Sequence, residues 1–121
     1  MIQNILLVAL GGAVGSVCRY LVSTLNSTSR PWGTLAVNIL GSLTIGLLVG
    51  LANKGSLSAA TKLLLVTGFC GGFTTFSTFA NESFGMMKAG DVMLAALYIG
   101  ASVTVGVLAV WAGLKLSGNV L

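Results

Sequence analysis

Four long apolar stretches, separated by three short polar connectors, limit this chain to a membrane fold. The stretches cover residues 2–25, 34–51, 62–87 and 92–114. Each is close to or above the roughly 17–25 residues that a helix needs to cross a bilayer. The connectors, residues 26–31, 53–56 and 88–91, are rich in Asn, Ser, Gly and Lys, and the only proline ends the first of them. Because such residues favour turns, we predict an all-α protein with one transmembrane domain of four helices over residues 1–121.

The composition excludes most other classes of protein. Of 121 residues, 55% are hydrophobic and only 7% are charged, with no histidine, whereas a soluble domain carries about a quarter charged residues. A soluble enzyme, a disordered chain and a disulfide scaffold are therefore excluded. Because the chain has no histidine, catalysis by histidine and metal sites with histidine ligands are excluded as well. The net charge of +4 is too small and too scattered for a nucleic-acid partner. The lipid bilayer is the predicted surrounding.

The positive charges give the chain no preferred orientation in the membrane. With four spans both termini lie on one side, and the cations are divided three against three: Lys54, Lys62 and Lys115 on the terminal side, Arg19, Arg30 and Lys88 towards the other. The positive-inside rule orients a protein by this difference. We therefore predict dual topology and an antiparallel homodimer, with a fixed topology set by a subtler bias as the alternative.

The third stretch has an unusual polar middle, in which residues 67–79 read TGFCGGFTTFSTF. Paired glycines and paired threonines are poor formers of a continuous helix. Within a bilayer, a helix interruption is tolerated only where it is buried in protein or lines a polar cavity. We predict a non-helical break around residues 71–75, near the middle of the third helix, where freed carbonyls could bind a cation. A continuous helix with glycine packing faces is the alternative.

Two further stretches carry polar side chains at helical spacing. Thr34, Asn38 and Ser42 follow each other at intervals of four, and Tyr98 and Ser102 do so in the last stretch, where Gly106 comes next. An amide in lipid needs partners, so Asn38 is either a ligand or one side of an interhelical hydrogen bond. Hydroxyl and amide donors suit an anion that accepts strong hydrogen bonds, and the sequence indicates a donor-lined anion pathway.

Aromatic and charged residues complete the predicted site. Phe76 and Phe79 lie three residues apart and so on one helical face, where the positive edges of their rings favour an anion. Arg19 could reach the membrane interface, attract anions into a vestibule or pair with Glu82. Glu82 would indicate proton coupling if it were deep and unpaired, but pairing with a cation is the preferred interpretation.

At these residues the sequence resembles the CrcB/Fluc family of bacterial fluoride channels. The resemblance is carried by residues 11–20 (GGAVGSVCRY), 33–41 (GTLAVNILG) and 68–79 (GFCGGFTTFSTF). Glycine-rich pieces alone are weak evidence, but the three segments in this order are highly specific. Together with the length and the four spans, the resemblance covers the whole chain.

The resemblance implies an antiparallel dual-topology homodimer with two fluoride pathways and a central Na⁺ held by backbone carbonyls. On this chain the carbonyls correspond to Gly71 and Thr74, and the pore residues to Asn38, Phe76, Phe79, Ser77, Thr78, Tyr98 and Ser102, with Thr34 added from its stripe. Gly106 stands where some relatives have a third hydroxyl, and Arg19 and Glu82 match recurring charged positions.

The implied function is passive efflux of cytoplasmic fluoride across the bacterial plasma (inner) membrane, which confers fluoride resistance and is not enzymatic. Hydrogen fluoride enters as a neutral acid and dissociates inside, so the trapped anion needs a way out. A small dual-topology multidrug exporter is the main rival, but its chemistry needs a carboxylate in the first helix, and residues 2–25 contain none. A non-conducting accessory protein is disfavoured because idle spans have little reason to keep such costly polar groups.

Overall fold

The computed structural model describes residues 1–24 and 31–118, and every regular element in these ranges is helical. Helix α1 covers Ile2–Ser23 and α2 covers Trp32–Asn53. The third span begins with α3 (Ala59–Lys62), continues as a π-helix over Leu63–Cys70 and α4 (Gly71–Phe73), and ends with α5 (Ser77–Lys88). Helix α6 covers Val92–Leu116.

Four helical segments are long and apolar enough to cross a membrane: Ile2–Ser23, Trp32–Asn53, Ala59–Lys88 and Val92–Leu116. The predicted four-span, all-helical fold is therefore confirmed. Arg30 and the other residues of the first connector before Pro31 lie outside the described residues.

The described helix boundaries follow from local turn chemistry. Pro31 precedes α2, as expected for a residue that lacks an N–H. Ser58 caps α3, because its Oγ accepts a hydrogen bond from the Thr61 N–H at 3.1 Å. Gly55 and Gly90 adopt φ values of 75° and 90° in the two connectors that follow α2 and α5. Only glycine takes this conformation readily, so both connectors reverse the chain within a few residues.

Helix α1 packs closely against the third span through its glycines. A Cβ at Gly11 would meet the carbonyl oxygen of Leu64, and one at Gly15 would meet that of Phe69. Small residues let helix backbones approach in lipid, where no hydrophobic force drives the association. The contact of Gly15 lies further along the third span than the contact of Gly11, so the two helices run parallel.

Helices α2 and α6 form the second parallel pair. A Cβ at Gly46 would meet the carbonyl oxygen of Val110, and one at Gly113 would meet that of Leu43. This contact fixes the register of the two helices and, with it, the register of their polar stripes.

The third span bends after Phe73. Thr74 is extended, with φ −82° and ψ 158°, and the α-helix resumes at Ser77. Gly71–Phe73 remains helical, so the departure from helix lies at the C-terminal end of the segment predicted to be interrupted. The bend brings Thr74 and Thr75 towards α2.

Few side chains are fully enclosed within one chain. Among the described hydrophobic side chains, Val37, Ala95 and Cys70 are the least accessible, at 0%, 1% and 2% exposure, whereas Phe76 is 78% exposed. Exposed apolar surface is ordinary for a membrane protein because lipid tails are as apolar as leucine. These exposed faces are therefore available to lipid or to a second chain.

Candidate functional site

A cavity of about 610 Å³ opens beside the bend, between α2, the third span and α6. Both predicted polar stripes and the predicted interruption contribute to its wall: Asn38, Ser42, Gly71, Thr74, Thr75, Phe76, Phe79 and Ser102. Asn38 and Ser102, which are 64 positions apart in the sequence, are thus brought to one site by the parallel packing of α2 and α6.

The side chain of Asn38 holds the backbone of Thr75. Its Nδ2 donates to the Thr75 carbonyl oxygen at 3.1 Å, and its Oδ1 accepts from the Thr75 N–H at 3.0 Å. An amide thereby replaces the helical partners that Thr75 loses at the bend, which satisfies the rule that backbone groups in a membrane need partners. An Asn amide has two N–H donors, so one remains beyond this pair.

Two backbone carbonyls next to the bend lose their usual donors. In a continuous helix the Thr75 N–H would bond the Gly71 oxygen, but it bonds Asn38 instead. The Thr78 N–H would likewise bond the Thr74 oxygen, but it donates to Thr75 Oγ1 at 3.3 Å. Gly71 and Thr74, whose carbonyls the resemblance indicates as cation ligands, are thus among the residues that lose a helical donor at the bend.

Glu82 joins α5 to α2 and α6 through two hydroxyls. Thr34 Oγ1 donates to its Oε2 at 3.2 Å and Tyr98 Oη donates to its Oε1 at 3.1 Å. Thr34 and Tyr98 are only 2% and 7% exposed. Both predicted pore residues thus donate a hydrogen bond to the Glu82 carboxylate. Thr34, Tyr98 and Glu82 are not among the residues that line the cavity.

The phenylalanines after the bend form a short aromatic series with Tyr98. The ring centroids of Phe76 and Phe79 are 6.1 Å apart, and those of Phe79 and Tyr98 are 5.1 Å apart. The rings are tilted by 58° and 57°, which is the arrangement in which one ring offers its edge to its neighbour. The series connects the cavity to the Glu82 cluster.

Arg19 makes a hydrogen bond to the backbone of the third span. Its Nε donates to the carbonyl oxygen of Gly72 at 3.0 Å, which ties α1 to the start of the bend. Glu82 accepts the two hydroxyl hydrogen bonds described above. None of these hydrogen bonds joins Arg19 to Glu82, so the pairing of Arg19 with Glu82 stays a prediction.

The remaining predicted pore residues occupy two environments. Ser77 and Thr78 are exposed at the start of α5. Ser102 Oγ is buried, and among the described residues it has no hydrogen-bond partner. The lining also includes Thr67 and Cys70, which sequence reasoning did not select. Their spacing from Gly71 and Thr74 places all four near one helical face, and this periodicity is the signal that could have identified them.

Comparisons with known proteins agree over nearly the whole chain. The family described as "CrcB-like protein, Camphor Resistance (CrcB)" matches residues 6–114. A protein of Agrobacterium fabrum named "Fluoride-specific ion channel FluC" is 52% identical over 121 residues, covering 96% of this chain and 97% of the relative. Proteins named in the same way from Nitrobacter hamburgensis and Phocaeicola vulgatus are 48% and 44% identical, and the alignments cover 93% and 95% of this chain and 93% and 98% of the relatives.

Proposed function

This chain belongs to the CrcB-like family, and from that premise we propose that it is a fluoride-selective channel that lets cytoplasmic fluoride leave the cell passively. The observation that carries this proposal is the cavity beside the bend, whose wall combines hydroxyls, an amide and aromatic rings. The identity of 52% to a protein named as a fluoride-specific ion channel supports the choice of ion. The host membrane is taken to be the bacterial inner membrane.

The chemistry of the wall suits fluoride more than chloride. Fluoride is small and strongly hydrated, so the loss of its water dominates the barrier to permeation. Closely spaced donors such as Ser102 Oγ and the remaining Asn38 N–H can replace that water. Phe76 and Phe79 add ring edges, which carry partial positive charge. No Lys or Arg side chain of the described residues lines the cavity, so the anion is held weakly enough to leave again.

An antiparallel pair of chains would complete the site. In one chain Phe76 is 78% exposed, and a Cβ built on Gly71 would meet nothing within 4 Å, so the bend presents an open surface. The even division of positive charges permits both insertions. We therefore place two chains with their bends facing each other, with the third helix of each interrupted there and with two separate fluoride pathways.

The residues at the bend fit a bound Na⁺. Gly71 and Thr74 offer carbonyl oxygens whose helical donors are diverted to Asn38 and Thr75, and hard oxygen ligands suit alkali cations. One chain supplies two such carbonyls, so two facing chains supply four. When bound there, the ion would contribute positive charge at the subunit contact and join the two bends.

The other predicted site residues would lie along the pathway or at its entrance. Ser77 and Thr78 are exposed beside the bend and would meet the anion in the assembled pair. The Glu82 cluster with Thr34 and Tyr98 would fix the outer part of the pathway, where Tyr98 also contacts Phe79. Arg19 would give the vestibule a positive potential that draws anions inwards.

Purified protein in lipid vesicles loaded with fluoride or chloride tests this function. We expect vesicles with protein to release fluoride once a potassium ionophore clamps the membrane potential, and to retain chloride. Chloride has a larger hydration shell, which these donors replace less completely. Protein-free vesicles are the control for leakage. Equal release of both anions would contradict fluoride selectivity, and release of neither from correctly assembled protein would contradict the channel itself.

A further inference from the structure

We propose that Ser42 of α2 supplies a hydroxyl donor to the anion pathway opposite Gly106, at a position that can be filled from either α2 or α6. This inference rests on the proposed fluoride channel and adds a residue to its lining. Ser42 lies outside the set of pore residues that the resemblance indicates, although it continues the stripe of Thr34 and Asn38.

The first support is the position of Ser42. Its side chain lines the same cavity as Asn38 and Ser102. A Cβ built on Gly106 would lie 3.5 Å from Ser42 Oγ, so the hydroxyl of α2 stands directly against the space that a side chain on α6 would occupy. Because Gly106 has no side chain, α6 contributes no hydroxyl at this point, and the adjacent hydroxyl is that of Ser42.

The second support is the hydrogen-bonding state of Ser42. Helical Ser and Thr commonly donate to a carbonyl one turn earlier, and Thr44, Ser83 and Ser117 of this chain do so at 2.8, 2.8 and 3.0 Å. Among the described residues Ser42 Oγ makes no such bond. Its hydrogen is therefore available to a ligand in the cavity.

The third support is the neighbouring hydroxyl of Ser102. It lies one helical turn before Gly106, and its Oγ is buried and has no partner among the described residues. A buried polar atom without a partner costs free energy, and an anion that accepts from it removes this cost. Ser102 and Ser42 thus offer two uncommitted donors on facing helices, which is what a dehydrated fluoride ion needs.

Flux measurements on four variants test this inference. S42A should lower fluoride release about three- to tenfold, which corresponds to the net value of one hydrogen bond. G106S in the S42A background should restore release to within about twofold, because it returns a hydroxyl to the same space. S42T should keep most of the flux. T44V is the matched control on the same helix, since Thr44 bonds its own backbone, and it should release fluoride at the wild-type rate.

Each other outcome has a defined meaning. Wild-type flux in S42A would overturn the role of Ser42. So would a loss in S42A that G106S does not restore, if S42T also releases fluoride as slowly as S42A. If S42A fails to assemble by size-exclusion chromatography, the isosteric variants S42T and S42V replace it: faster release by S42T supports the inference and equal release overturns it. The absence of fluoride release from the wild-type protein would instead contradict the proposed function, and this inference with it.

Discussion

Asn38→Leu is expected to abolish fluoride release and to destabilise the assembled protein. Leucine keeps the size of the side chain but removes both hydrogen bonds to Thr75, of 3.1 and 3.0 Å. Each backbone group left without a partner costs about 1–3 kcal/mol, and no water in the bilayer core compensates. We expect flux at the level of empty vesicles and a lower thermal transition, measured by the fluoride electrode and by temperature-dependent size-exclusion chromatography.

Two companion variants separate the hydrogen bonds from a general loss of polarity. Asn38→Asp keeps a polar side chain and the acceptor for the Thr75 N–H, but it puts a carboxylate oxygen against the Thr75 carbonyl and a charge into the bilayer, so it should destabilise the protein as Asn38→Leu does. It should also conduct poorly, because its negative charge repels the anion. Asn81→Leu removes an exposed amide from α5 and should leave flux unchanged. If Asn38→Leu assembled with wild-type stability and flux, Asn38 would have no role in holding the bend.

Phe79→Ile is expected to reduce fluoride release more than about tenfold with assembly intact, since 1.4 kcal/mol of lost anion stabilisation corresponds to a factor of ten. Isoleucine keeps an apolar side chain but removes the ring edge. Phe79 lines the cavity, and its ring lies 5.1 Å from Tyr98 and 6.1 Å from Phe76. Phe76→Ile should act in the same direction.

The matched control is Phe84→Ile, which changes a 62% exposed phenylalanine on the same helix. It should conduct like the wild-type protein in the vesicle assay, with the same elution volume in size-exclusion chromatography. If Phe79→Ile and Phe84→Ile behaved alike, the aromatic series would not be part of the ion pathway.

The spans could be predicted because their signal is local. Eight charged residues in 121 leave long apolar runs whose length alone indicates membrane helices. Pro31, Gly55 and Gly90 mark ends and turns through backbone geometry that the residue type itself determines. The paired glycines and paired threonines of the third span indicated an interruption over residues 71–75; the structure shows a bend after Phe73, with Gly71–Phe73 still helical, and the interruption itself stays a prediction.

The partners of individual polar groups could not be predicted in this way. The spacing of Asn38 left both a ligand and an interhelical hydrogen bond open, because its partner Thr75 lies 37 residues away, in the bend of another span. The bonds of Arg19 to Gly72 and of Tyr98 to Glu82 likewise depend on how helices pack. Packing register comes from contacts such as those of Gly46 and Gly113, which no stripe on a single helix encodes.

The proposed pathway depends most on two oppositely oriented chains, because the proposed Na⁺ site needs the Gly71 and Thr74 carbonyls of both chains and one chain leaves its cavity open. Ser56→Cys tests this directly in a Cys18→Ser, Cys70→Ser background, since Ser56 is exposed in the α2–α3 connector and its change leaves the balance of positive charges intact. A membrane-impermeant maleimide added to sealed cells should label about half of the chains, and the rest only after the membrane is opened. Labelling of all chains or of none in sealed cells would contradict the antiparallel pair.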